Sequence, residues 1–216
     1  MICIPIKQKE IGSLFKDLKK AEKTGDLIEI WFDELQNTDF KKMKDILAKV
    51  KKPIIYKASS DLEKIKNILQ MKIDFIDLDI ETDKKIITHI KKISPETKII
   101  ISHHDFKKTP DAKVLKKIAE KITKKGSDII KIATFANAIS DSFKMLEFLS
   151  NLSKKHPAIC LCMGKHGLIT RTSGHLFGNY LMYAPIDLKN KTADGQITAK
   201  ELKEIQQLIP KICRGK

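Results

Sequence analysis

Short runs of β-branched and aliphatic residues alternate with lysine-studded stretches of helical period along the whole chain, and this alternation constrains the fold more than any other feature. The apolar runs lie at 2–6, 27–32, 53–56, 75–80, 98–102, 128–133, 158–163 and about 180–184. Between them, amphipathic segments occupy 11–23, 40–50, 62–71, 84–92, 112–124, 139–153 and 199–209. Strand followed by helix, repeated, predicts parallel βαβ units. Eight repeats favour a closed (β/α)8 barrel over an open doubly wound sheet, although 216 residues is near the short end for that fold. No proline- or serine-rich linker divides the chain, so residues 1–216 are expected to form a single barrel domain.

Composition narrows the partners. The chain carries 42 Lys plus Arg against 27 Asp plus Glu, a formal charge of +15, with 42% hydrophobic residues. The excess is spread over the length as lysine, with arginine only at Arg171 and Arg214. A nucleic-acid binder usually clusters its basic residues and reads with arginine forks and aromatics, so no nucleic-acid partner is expected. The longest apolar runs fall far short of the roughly 20 residues of a bilayer helix, and the start of the chain does not read as a signal peptide. Cys3, Cys160, Cys162 and Cys213 form no CxxC, and the C-x-C at 160 and 162 puts two thiols on one strand face, so a reduced, cytoplasmic protein is expected.

A (β/α)8 barrel builds its active site at the C-terminal ends of its strands. In Asp128-Ile-Ile-Lys131-Ile-Ala133 a lysine sits within an apolar strand, where an ammonium is costly unless paired or neutralised. It is either a Schiff-base nucleophile or a side chain snorkelling from the strand end. The preceding strand ends in Ser102-His103-His104-Asp105, and adjacent strand residues face opposite ways, so only one histidine enters the barrel mouth. Ser102 and His104 share a face, as do Asp77 and Asp79, and Glu29 and Trp31; alternation does not say which face is interior. No third-ligand spacing supports a metal at His103, His104 and Asp105, and no GxGxxG or Walker A sequence supports a nucleotide. Lysine, histidine and carboxylates at strand ends fit carbonyl activation followed by proton abstraction.

Several ordered motifs then resemble the type I 3-dehydroquinate dehydratases of the shikimate pathway, over most of the chain. They are the opening Ile2-Cys-Ile-Pro5-Ile; Ile101-Ser-His-His104-Asp-Phe106-Lys-Lys-Thr109-Pro110, similar to the family's S-x-H-D-F-x-x-T-P; and Asp128-Ile-Ile-Lys131-Ile-Ala133, similar to D-I-x-K-x-A. Met163-Gly-Lys-His-Gly167 through Arg171 to Gly178, and Asp194-Gly195-Gln196-Ile, complete the set. The resemblance implies a (β/α)8 barrel, usually a homodimer, that converts 3-dehydroquinate to 3-dehydroshikimate with neither metal nor cofactor. It implies imine formation at Lys131 and proton transfer by His104, with Asp79 standing where the family has a glutamate that orients that histidine. Arg171 is implied to clamp the substrate carboxylate, with Glu29 and Gln196 on substrate hydroxyls and Met163 against the pocket wall. Lys57 and Thr192 complete the expected substrate-binding set.

Three departures stand out. The family's E-x-R reads Glu29-Ile-Trp31, its T-x-R reads Ile55-Tyr-Lys57, and its S-A-P-G-Q loop reads Thr192-Ala-Asp194-Gly-Gln196. Two other readings follow from the sequence: a Schiff-base aldolase, and a re-specialised or degenerate barrel homologue acting on a different cyclic hydroxy acid or only binding it.

Overall fold

The computed structural model of the chain describes residues 1–36 and 39–214, with side chains described as far as residue 208. Its elements run β1 (Ile2–Ile6), α1 (Ile11–Thr24), β2 (Leu27–Ile30), α2 (Phe40–Leu47), β3 (Ile54–Lys57), α3 (Leu62–Leu69), β4 (Phe75–Asp79) and α4 (Lys84–Ile93). They continue β5 (Lys98–Asp105), α5 (Ala112–Lys124), β6 (Ile129–Phe135), α6 (Ile139–Leu152), β7 (Ala158–Met163), α7 (Leu168–Ser173), β8 (Met182–Tyr183) and α8 (Ala199–Arg214).

All paired strands are parallel, in the order β7-β6-β5-β4-β3-β2-β1-β8, which is a nearly closed (β/α)8 barrel. The eighth strand is shorter than the expected 180–184. Its seam with β7 is closed instead by the Tyr180 N–H donating to the Ala158 carbonyl at 2.8 Å and the Cys160 N–H donating to Asn179 Oδ1 at 2.9 Å. The second strand also stops early, because residues 32–34 tighten into a 3-10 turn that buries Phe32. The short α7 was not among the expected helices, since six residues between Gly167 and Gly174 are too few to display a helical period.

Local chemistry explains the rest. Asp39, Asp61, Asp83 and Asp111 precede α2, α3, α4 and α5, and each side chain accepts a backbone N–H of the first turn. At the opposite end of the barrel, Asp26, Asp74 and Asp128, standing just before β2, β4 and β6, accept the Ile2, Ile54 and Ile99 N–H groups at 2.7–2.8 Å. Each such aspartate ties an even strand to the strand before it, and one of them is the aspartate of the D-I-x-K motif.

The core divides into two layers. Side chains on one strand face, such as Ile4, Ile28, Ile76 and Ile132, pack beneath the helices. The alternate positions, among them Leu27, Ile55, Phe75, Ile100, Ile129 and Ile159, fill the lower barrel interior. Continuing up the same interior face brings Glu29, Lys57, Asp77, Ser102, Lys131 and Tyr183 into one hydrogen-bonded group. The change from aliphatic to charged interior marks where packing ends and a site begins. Cys160 and Cys162 share the helix-facing side of β7 as buried free thiols, while the Cys213 side chain lies outside the described residues.

Candidate active site

A cavity of about 400 Å³ opens at the C-terminal ends of the strands, and Lys131, His104, Asp79, Glu29, Lys57, Arg171, Met163, Thr192 and Gln196 all line it. They come from seven different strands or the loops behind them, so the fold rather than sequence proximity gathers them.

Lys131 forms the floor. Its Nζ donates to Asp77 Oδ2 at 2.6 Å, Glu29 Oε2 at 3.1 Å and the Tyr183 hydroxyl at 3.2 Å, and it stands 4.2 Å from the centroid of the Tyr183 ring. Burial alone would depress this ammonium, but the two carboxylates outweigh it and hold Lys131 above the ordinary lysine value. Asp77 answers to the same balance: burial pushes it up, and Lys131 with Lys57 pulls it below the usual carboxylate range. Lys57 Nζ reaches Asp77 Oδ1 at 2.9 Å and Ser102 Oγ at 3.0 Å, and Ser102 donates to Asp77 Oδ1 at 2.6 Å. Two ammoniums and two carboxylates therefore form one buried, neutral and closely bonded set.

His104 occupies the interior face and His103 the opposite one, as alternation requires. Burial, followed by the positive charges of Lys131 and Lys57, brings the His104 imidazole down to about 3, so it is neutral near pH 7. Phe106 stacks on it at a centroid distance of 5.9 Å. The carboxylate whose charge opposes that depression is Asp77. Asp79 lines the cavity one pleat higher, exposed at its rim, and its Oδ1 accepts the Glu81 N–H at 2.8 Å. Its short side chain is spent on the turn that leaves the strand, and the described structure gives it no hydrogen bond to His104.

Glu29, expected to meet substrate hydroxyls, is already engaged. Its second oxygen accepts the Trp31 indole N–H at 3.0 Å, and the Trp31 ring lies 4.7 Å from Lys7 Nζ. Trp31 thus closes the side of the cavity and fixes the carboxylate that holds Lys131.

The opposite wall is arranged differently. Arg171 is 4% exposed, yet its Nε and Nη2 have no hydrogen-bond partner among the described residues. Burial lowers its pKa to about 10, against the pull of Asp194, and it remains charged at neutral pH. A buried guanidinium with idle donors is costly unless an anion completes it. Near it, Gln196 Oε1 accepts the Thr192 and Ala193 N–H groups at 2.9 and 3.1 Å and so shapes the 192–196 loop. Gly195 has φ +76°, and a Cβ there would run into the Gly164 carbonyl oxygen, so the D-G-Q glycine is required by the docking of this loop on the end of β7. Behind the wall, the Thr109 hydroxyl bonds Thr134 Oγ1 at 2.8 Å and the Phe135 carbonyl at 2.9 Å, which gives the T-P motif the work of tying the end of β5 to β6.

Tyr183, Ser102 and the central role of Asp77 were not assigned from sequence. For Tyr183 a signal existed: an aromatic residue with a polar tip inside the last apolar run.

Comparison with known proteins points one way. The profile of the family described as type I 3-dehydroquinase matches residues 2–212. The 3-dehydroquinate dehydratase of Methanococcus maripaludis is 35% identical over 222 residues, covering 97% of this chain and 100% of that protein. That of Methanocaldococcus jannaschii is 32% identical, covering 97% and 99%. Among solved structures, a type I 3-dehydroquinate dehydratase from Clostridium difficile, solved with covalently modified comenic acid, superposes with a TM-score of 0.82 at 27% identity over 97% of this chain and 92% of that one.

Proposed function

The chain belongs to the type I 3-dehydroquinase family and is a lyase that dehydrates 3-dehydroquinate in the shikimate pathway; from that premise we propose that it works through an imine on Lys131, with His104 as the proton carrier and Arg171 as the carboxylate clamp. The observation that carries the proposal is the polarity of the cavity, which has a lysine held by two carboxylates at its floor and an arginine with idle donors on its wall.

Arg171 pairs with the substrate carboxylate and fixes its orientation, as a planar fork does better than an ammonium. The Lys131 nitrogen adds to the substrate ketone, and loss of water from the adduct leaves a protonated imine. Asp77 and Glu29 stay beside that nitrogen and balance its charge. The protonated imine draws electrons from the neighbouring C–H bond, and the neutral His104 takes that proton. The electron pair of the resulting enamine expels the hydroxyl on the next carbon, and the imidazolium protonates the leaving oxygen. Water then hydrolyses the imine, releasing 3-dehydroshikimate and restoring Lys131. A single histidine moving one proton from carbon to oxygen gives a syn elimination.

Met163 and Thr192 border the substrate, and Lys57 serves by holding Asp77 in place. The covalent modification named for the Clostridium difficile structure accords with a covalent route. The surroundings are read as cytoplasmic and the protein as a homodimer, which sedimentation at micromolar concentration tests directly. Among the described residues no helix is long and apolar enough to cross a membrane.

The decisive experiment is borohydride reduction in the presence of 3-dehydroquinate, followed by peptide mass mapping. An adduct on Lys131 is expected. An adduct on another lysine, or none while the enone product still absorbs in the ultraviolet, overturns the imine route.

A further inference from the structure

We propose that Tyr183 is a further catalytic residue, the proton relay through which the ammonium of Lys131 becomes an imine nitrogen. The inference rests on the imine reading above and extends it to a step that reading leaves without an agent.

Proton bookkeeping defines the need. Lys131 begins as –NH3+ and ends, as a protonated imine, with one hydrogen on nitrogen. The ketone oxygen leaves as water, having gained two. Two protons must therefore depart from Nζ and two must arrive on oxygen, and no outside acid or base is consumed. A residue suited to the transfer accepts a proton from Nζ and gives one to oxygen at the same time.

Among the described residues Nζ has three hydrogen-bond partners, Asp77, Glu29 and Tyr183. Asp77 and Glu29, as carboxylates paired with an ammonium, accept and have no proton to give. The Tyr183 hydroxyl alone both accepts and donates. It is buried, it lines the cavity beside Lys131, and burial together with the Glu29 charge pushes its proton affinity well above the ordinary phenol value. It therefore holds its own proton until another replaces it. In the proposed step an Nζ–H bond of the ammonium breaks, its proton passing to the Tyr183 oxygen as the Tyr183 hydroxyl proton passes to the substrate oxygen. The electron pair left on Nζ forms the bond to the ketone carbon, and the C=O π pair moves to oxygen and takes up that hydroxyl proton. Repeating the transfer when the C–O bond breaks delivers the second proton and forms water, and Tyr183 ends as the neutral phenol it began as.

Tyr183→Phe keeps the ring and removes the relay. Rapid mixing with 3-dehydroquinate and a borohydride quench at successive times measures how fast the Lys131 adduct appears. The expected result is a rate at least about tenfold lower than in the native chain, together with loss of the solvent deuterium isotope effect on adduct formation. Adduct formation within twofold of native, with that isotope effect retained, overturns the proposal and leaves His104 as the carrier in this step too. Should the Phe variant fail to fold, 3-fluorotyrosine at position 183 keeps size and hydroxyl but makes the phenol more acidic. It must change the adduct rate, and an unchanged rate again overturns the relay. If the native chain yields no Lys131 adduct, the imine reading itself has failed, a result distinct from either outcome for Tyr183.

Discussion

The floor and the wall of the cavity are both buried and both charged, yet they are built on opposite terms. On the floor, Lys131, Lys57, Asp77 and Glu29 satisfy one another within 2.6–3.1 Å. On the wall, Arg171 is as deeply placed but leaves Nε and Nη2 idle. Closed networks hold a reacting group still, whereas an incomplete one is a binding site whose missing member is the ligand. On the proposed mechanism the difference gives chemistry to one end of the cavity and recognition to the other, and it sets what each substitution should do to stability as well as to rate.

The largest effect is expected on the floor. Lys131→Met removes the proposed nucleophile and leaves Asp77 and Glu29 buried with too little opposing charge. Turnover should fall on the order of 10⁴-fold or more. Breaking a buried ion network from one side should also cost about 3–5 kcal/mol in denaturant unfolding. Full stability in this variant would break the comparison, since it would mean that the floor is not an energetic unit.

His104→Ala comes next, with a loss of about 10²–10⁴-fold in kcat and residual trapping of the imine, while His103→Ala, on the outward face, should be mild. The pH dependence sharpens the assignment. A base must be neutral to act, and His104 is neutral above its pKa, which burial and two lysines bring to about 3. The acid limb of kcat/KM in the free enzyme should therefore lie well below pH 6.5, with activity retained through the range where an ordinary histidine becomes charged. An acid limb at 6.5 would show that His104 is not held in this environment.

On the wall the sign for stability reverses. Arg171→Met should raise KM by about ten- to a hundredfold, the value of a lost charge-assisted pair. Its unfolding midpoint should not fall, because two buried donors without partners cease to be a cost. Arg171→Lys keeps the charge without the fork, and a KM rise of about tenfold is expected. A destabilised Met variant would place Arg171 among the structural groups and erase the contrast with the floor.

How much of this was legible follows from how each residue is specified. The barrel is written in repeated apolar runs and in helical periods between them, and most elements lie within a few residues of their sequence-expected bounds. The exceptions are places where tertiary contacts replace local pattern: the two-residue β8, closed by the Asn179 side chain, and the six-residue α7 between glycines. The residues lining the cavity were legible as identities, since a lysine in an aliphatic strand and a histidine at a strand end are costly unless used. Their partnerships were not. Strand alternation puts Asp77 and Asp79 on one face but carries no information about height along the barrel, and height decides which carboxylate is buried beside Lys131 and which meets the turn. Tyr183 shows the same limit, because its partners lie 154 and 52 residues away in sequence and only closure of the barrel brings them together.

The smallest expected effect tests that question of height. Asp79 and Asp77 are two residues apart on the same strand face, and the resemblance points to Asp79 as the group that orients His104. Asp77 is the alternative we propose: it is fully buried, bonded to Lys131, Lys57 and Ser102, and it is the carboxylate whose charge acts on the imidazole. Asp79→Asn keeps an oxygen that accepts the Glu81 N–H, so the turn survives. It should change kcat by less than about threefold, an effect below 1 kcal/mol, and leave the pH profile of kcat/KM where it was. Asp77→Asn should instead lower the pKa of His104 further, because the charge that raises it is gone, and should destabilise the fold by unpairing two ammoniums. Measuring both variants over the same pH range decides between the two carboxylates. A shifted acid limb in the Asp79 variant, with an unshifted one in the Asp77 variant, would return the orienting role to the carboxylate at the end of β4.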